Sequence, residues 1–128
     1  MQQTHTTPVP NEFFDHWLSR LSYPELKVLS HVIRQTYGWR NAKTGKRKER
    51  DWIAGRQFEK RTGLSRKSIS CAISNLSHKG LLRVTDYNGY PLKHSKERKG
   101  KTKLFYTAFP KPAYEKSPRC VSHAQTYA

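Results

Sequence analysis

Acidic residues are scarce in this chain: nine Asp plus Glu stand against 25 Lys plus Arg in 128 residues. Cysteine is scarcer still. Cys71 and Cys120 cannot build a disulfide framework, and without a C-x-x-C pair neither they nor His78 and His123 suggest a zinc site. No apolar run approaches the ~18–20 residues that a membrane helix needs. The opening residues Met1 to Thr7 lack the basic-then-apolar order of a secretory signal. No Ser/His/Asp set, phosphate-cradling Gly loop or acidic metal cluster is visible, so neither an enzyme nor a cofactor is expected. These absences point to a soluble chain of the cytoplasm.

What is present is a net charge of +16, one uncompensated cation per eight residues. Such an excess repels itself in a compact state and signals a polyanionic partner. A third of the residues are hydrophobic, with three Trp, seven Tyr and five Phe among them. That suffices for one small core and argues against full disorder. A single domain over residues 10–109 is expected, between a loose arm at 1–9 and a flexible tail at 110–128.

The apolar periodicity predicts the elements in turn. Phe14, Trp17, Leu18 and Leu21 recur at helical spacing after Asn11, a plausible cap, and predict a first helix over 11–20. Ser22-Tyr23-Pro24-Glu25 is a capping box with Pro in the first turn. It opens a helix over 23–37 whose stripe is Leu26, Leu29, Val32, Ile33 and Thr36. Residues 40–50 hold six cations against Glu49 and predict an exposed loop. A helix over 55–61 then turns Ala54 and Phe58 inward. Thr62-Gly63-Leu64-Ser65 breaks it, with Leu64 as an apolar plug. Ser65 caps a helix over 66–79 that buries Ile69, Ala72, Ile73 and Leu76. Two strands are predicted at 81–87 and 104–109, with a turn at Asn88-Gly89 and six cations against Glu97 over 93–103. Trp17, Trp39 and Trp52 fit the core or its edge better than stacking on bases.

Two helices joined by a short Gly-containing turn make a helix-turn-helix pattern. The strand pair with its basic loop extends this to a winged helix-turn-helix, mainly α with a small β-hairpin. In such an arrangement the second helix of the pair enters the major groove. With Ile69 central to the buried face, Lys67, Ser70, Cys71, Ser74 and His78 point outward, flanked by Arg66 and Asn75. Ser65, Arg66, Lys67, Ser70, Ser74 and Asn75 are therefore the candidate readers of double-stranded DNA. Arg can pair bidentately with guanine, and Asn with adenine. Arg56, Lys60 and Arg61 on the preceding helix are candidate phosphate contacts. So are Lys46, Arg47 and Lys48 in the first basic loop, and Lys96, Arg98, Lys99, Lys101 and Lys103 in the second. Phosphate contacts supply affinity through counterion release but no sequence preference.

Two segments say more than a generic helix-turn-helix does. Thr7-Pro8-Val9-Pro10-Asn11-Glu12-Phe13 and Val32-Ile33-Arg34-Gln35-Thr36-Tyr37-Gly38-Trp39 resemble the N-terminal domain of the phage lambda-type replication protein O family. The stretch Ile53 to Ser70 also looks like that family's helix-turn-helix, and the likeness runs from about Thr7 to Leu82. The resemblance implies recognition of repeated sites at a replication origin, through Arg66, Lys67, Ser70 and Ser74 with the wing loop assisting. It also implies a homodimer and recruitment of the replicative helicase or its loader through a separate C-terminal region. Arg34, Tyr37 and Trp39 would then brace the fold and the loop after it. The chain departs from the pattern in its long basic 40–50 loop. The 19 residues after Phe109 are too few for a helicase-recruiting region, which is expected on a longer chain or another protein. A winged-helix transcriptional regulator shares every candidate residue. A basic RNA-binding protein would use the charge alone.

Overall fold

The computed structural model of the chain describes residues 2–3, 5–92, 95–100 and 103–110, the first pair by backbone alone. It is an α+β arrangement of helices on a small antiparallel sheet. The chain opens with β1 (Gln2–Gln3) and a π-helical turn over Phe13–Trp17. Helix α1 (Tyr23–Tyr37), strands β2 (Trp39–Arg40) and β3 (Asp51–Trp52), and helices α2 (Gly55–Thr62) and α3 (Arg66–His78) follow. Strand β4 (Leu82–Thr85), a single helical turn α4 (Ser95–Arg98) and β5 (Phe105–Ala108) complete it.

Helix α1 forms as its opening residues require. Ser22 accepts from the Glu25 amide, and the Glu25 carboxylate accepts from the Ser22 amide at 2.7 Å, which closes the capping box. The helix buries Val28, Leu29, Val32, Ile33 and Thr36 and packs against α2, α3 and β5. Glu25 is itself buried and meets Lys79 Nζ at 2.9 Å. Burial alone would raise its carboxyl pKa. The Ser22 amide and Lys79 overcome that and hold it below the ordinary carboxylate range.

The sheet order is β3-β5-β4. Leu82 pairs with Ala108 and Val84 with Tyr106, and these four side chains enter the core with Phe58, Ile69, Ile73 and Leu76. Arg83 pairs with Thr107 on the opposite face. The turn expected at Asn88-Gly89 is present. Asp86 Oδ1 accepts from the amides of Asn88 and Tyr90, both at 2.9 Å, and Gly89 takes a φ of 93°. The chain then returns beside β4, where the Leu92 amide donates to Val84 at 2.8 Å. The second basic loop therefore leaves from the sheet's edge, not from the end of β4.

Several expectations need correction. The helix expected over 11–20 is mostly one π turn, with Asn11 in the helical residues just before it and no side-chain cap. A π turn winds wider than an α turn, which shifts the phase. Phe13 and Leu21 are buried, while Phe14 and Leu18 are about half exposed. Ala54 is exposed, and Ile53 takes the inward position beside Phe58. In the N-terminal arm, Gln2 and Gln3 pair with Arg40 and Trp39. The 40–50 loop is a tight hairpin, because Asn41 Oδ1 gathers the amides of Lys43 and Thr44 and Gly45 turns at a φ of 74°. The tail at 111–128, with Cys120 and His123, lies outside the described residues.

Candidate nucleic-acid interface

The unit formed by α2, its turn and α3 is built by a few side chains. Gly63 ends α2 at a φ of 72°, a conformation that costs any residue with a Cβ. Its amide donates to Glu59 at 2.9 Å. The Thr62 hydroxyl donates to Phe58 and accepts from the Leu64 amide, so it spans the break. Lys27 Nζ donates to the Thr62 carbonyl at 2.9 Å and pins the turn to α1. Ser65 then caps α3 by accepting from the Ser68 amide at 3.2 Å. Leu64 packs against the core, although it is only half-buried.

Helix α3 buries Ile69, Ala72, Ile73 and Leu76, the expected stripe. Its outer side is not uniform. Lys67, Cys71, Asn75 and His78 are exposed along one line. Arg66 at the helix start is 81% exposed at its side chain and stands 3.8 Å from Glu59 of α2. Ser65 is also exposed. Ser70 and Ser74, expected among the readers, are half-buried beneath Arg98. Arg98 Nη2 donates to Ser74 Oγ at 3.1 Å and to the Ser70 carbonyl at 3.5 Å. The exposed line is therefore turned away from Ser70 and Ser74, towards Asn75.

Arg98 is accordingly a correction. The sequence places it in the second basic loop as a candidate phosphate contact; it is 8% exposed and joins α4 to the flank of α3. Burial lowers its guanidinium pKa, against the favourable influence of Tyr106 and Glu97. Lys96 and Lys99 beside it are exposed as expected. Lys103 is exposed and lies 4.9 Å from the Trp52 ring centroid. Lys101 lies outside the described residues.

The first basic loop divides in the same way. Lys46 is exposed. Arg47 donates to the Tyr37 carbonyl at 3.2 Å, and Lys48 Nζ lies 2.6 Å from Asp51. Both are half-buried and hold the hairpin. Arg50, unremarked in the sequence, donates to the Asp86 carbonyl at 2.9 Å and stacks 4.2 Å from the Phe105 ring. Only the tertiary pairing of β3 with β5 brings it there. On α2, Arg56 and Lys60 are exposed opposite Phe58. Arg61 is exposed on the side of α1, where its charge reaches His31.

The two signature segments meet. A Cβ at Gly38 would overlap the Arg34 carbonyl oxygen and stand 3.0 Å from Thr7 Oγ1, so Thr7 lies over a position that glycine alone can occupy. Tyr37 donates to the Ala108 carbonyl at 3.0 Å and ties α1 to β5. A sequence model of the family described as bacteriophage replication protein O matches residues 2–94. The chain belongs to the bacteriophage replication protein O family. The match takes in β1 through β4 with the whole α2–turn–α3 unit, and ends before α4 and β5. Replication protein O membership supports a role in the initiation of phage DNA replication. No curated protein and no solved structure matches the chain significantly. Among the described residues, no helix is long and apolar enough to cross a membrane.

Proposed function

We propose that this replication protein O chain binds double-stranded DNA sequence-specifically at a phage replication origin, with α3 as the reading helix. Three helices followed by two strands and a basic loop are read as a winged helix. One observation carries the proposal: α3 leaves a capped, uncovered line of Lys67, Cys71, Asn75 and His78, with Arg66 at its head. The N-terminal part of such a helix meets base edges. Lys67 and Arg66 are suited to guanine and Asn75 to adenine. Ser65, Ser70 and Ser74 border that line, with Ser70 and Ser74 holding the wing in place. Arg56, Lys60, Arg61, Lys46, Lys96, Lys99 and Lys103 would neutralise phosphates.

Family membership favours replication over transcriptional regulation. A homodimer on repeated sites and a helicase or loader partner belong to the same proposal, acting in the host cytoplasm. The test is selection of bound duplexes from a random pool under rising salt. An enriched, repeated sequence is expected. Lys67→Ala and Asn75→Ala should each weaken binding to that sequence by about 1–3 kcal/mol and to random duplex far less. Equal affinity for RNA hairpins, or no enriched sequence, would remove the reading.

A further inference from the structure

The face of the sheet turned away from the helices carries an aromatic row that duplex binding by α3 does not use. Ile53, Val84 and Tyr106 point into the core. Their chain neighbours Trp52, Thr85 and Phe105 therefore belong to the outer face. Strand register sets these three in line: Trp52 lies opposite Phe105, and Phe105 opposite Thr85. The line continues into the 86–90 turn, where the Tyr87 ring meets the Phe105 ring edge-on at 6.4 Å.

These rings are not covered as core aromatics are. Trp52, which the sequence places in the core or at its edge, is 45% exposed, and Tyr87 is 73% exposed. Tyr90, on the same turn, is 68% exposed. The turn itself is fixed. Asp86 Oδ1 accepts from the amides of Asn88 and Tyr90, and Arg50 Nη2 donates to the carbonyls of Asp86 and Tyr87. The backbone of Tyr87 is thus held before any ligand arrives, which lowers the ordering cost of binding.

The neighbouring charges point to the kind of partner. Arg50 lies 4.2 Å over the Phe105 ring, and Lys103 Nζ 4.9 Å over Trp52. Neither forms an ion pair among the described residues. Arg50 gives its hydrogen bonds to carbonyls, which leave its charge uncompensated. Of the acids close along the chain, Asp51 meets Lys48 at 2.6 Å and Asp86 holds the turn, while Glu49 is exposed. An apolar protein surface laid here would strip water from two cations. Bases on a phosphate backbone suit both the rings and the cations.

We propose that this row binds single-stranded DNA, with bases stacked on Trp52 and Tyr87. Tyr90 extends the platform, and Arg50 attracts the backbone. Lys103 also figures among the proposed duplex contacts, so the rings and Arg50 carry the site. Paired bases keep their faces inside the stack, so the row selects an open strand. DNA is preferred to RNA because the family acts in phage DNA replication, which separates the strands. None of this depends on α3 as the reading helix.

The test is fluorescence anisotropy of a labelled oligothymidylate with the intact chain. Saturable binding is expected. Trp52→Ala and Tyr87→Ala should each weaken it about tenfold, the effect of losing one stacked base, and Trp52→Phe should recover much of the loss. Tyr87 stands on an exposed turn, so its variant stays informative if Trp52→Ala fails to fold. Tyr23, exposed on α1 beside Lys27, is the control, and Tyr23→Ala should change nothing. A fully abasic strand of the same length carries the same charge and should bind about tenfold more weakly, without response to Trp52→Ala. Lys67→Ala and Asn75→Ala should leave oligothymidylate binding unchanged, so failure here is distinct from failure of the duplex reading. Absence of saturable binding, equal affinity for the abasic strand, wild-type affinity in Tyr87→Ala, an equal loss in Tyr23→Ala, or tighter binding of oligouridylate overturns the proposal.

Discussion

Arg98 links the second basic loop to α3 through Ser74 Oγ and the Ser70 carbonyl. Hydrogen bonds from a charged donor contribute about 1.5–3 kcal/mol each way they are broken. Arg98→Ala should lower the urea midpoint and raise the exchange rate of amides in α4, with α3 still folded. An unchanged midpoint would show that the loop is held by other contacts. His31 makes a second residue-scale prediction. It is 8% exposed against the Phe58 ring, and burial, then Arg61 and Arg34, push its pKa down to about 4. The unfolded chain therefore binds a proton between about pH 6.5 and 4 that the folded chain refuses. The stability from neutral His31 is fully present above pH 6.5 and is lost as pH falls towards 4. The loss is on the order of 3 kcal/mol by proton linkage. His31→Leu should flatten that part of a stability-against-pH curve. A curve of unchanged slope would place the acid sensitivity elsewhere.

At the scale of elements, the turn between α2 and α3 has the least tolerance. Gly63 sits at a φ of 72° with open space around it, so only backbone conformation opposes a side chain there. Gly63→Ala should destabilise the domain by about 1–2 kcal/mol, measured by thermal unfolding. A neutral result would mean that the turn relaxes into another form. This turn was legible in sequence because its residues act locally: Gly63, the Thr62 hydroxyl and the Ser65 cap each work within a few positions. So was the stripe Ile69, Ala72, Ile73 and Leu76, since helical periodicity alone sets it. The first helix was misread for the same physical reason. Its winding is π, and periodicity at the α-helical angle assigns Phe14 and Leu18 to the core in place of Phe13.

For the whole molecule the charge of +16 matters through its placement. Lys96 and Lys99 remain exposed in the second basic loop, whereas Arg47, Lys48 and Arg98 are engaged with the fold. Each phosphate neutralised on a duplex contributes about 0.9 to the slope of log affinity against log salt. Replacing Lys96 and Lys99 by Gln should therefore reduce that slope by about two. Replacing Lys48 should leave the slope unaltered and lower stability. A slope that ignores Lys96 and Lys99 would remove this loop from the interface.

The sequence by itself determined the basic charge, the capped helices, the α2–turn–α3 unit and the family-bearing segments at 7–13 and 32–39. All of these depend on spacing over a few residues or on composition. Only the tertiary structure decided which cations face solvent. An arginine in a basic run looks the same in sequence whether it meets water or a carbonyl 28 residues away, as Arg98 meets Ser70. It also decided that Ser70 and Ser74 sit under the second basic loop, and that Trp52, Phe105 and Tyr87 share one row. Those outcomes follow from strand register and loop return, which bring together residues whose separation along the chain carries no periodic signal.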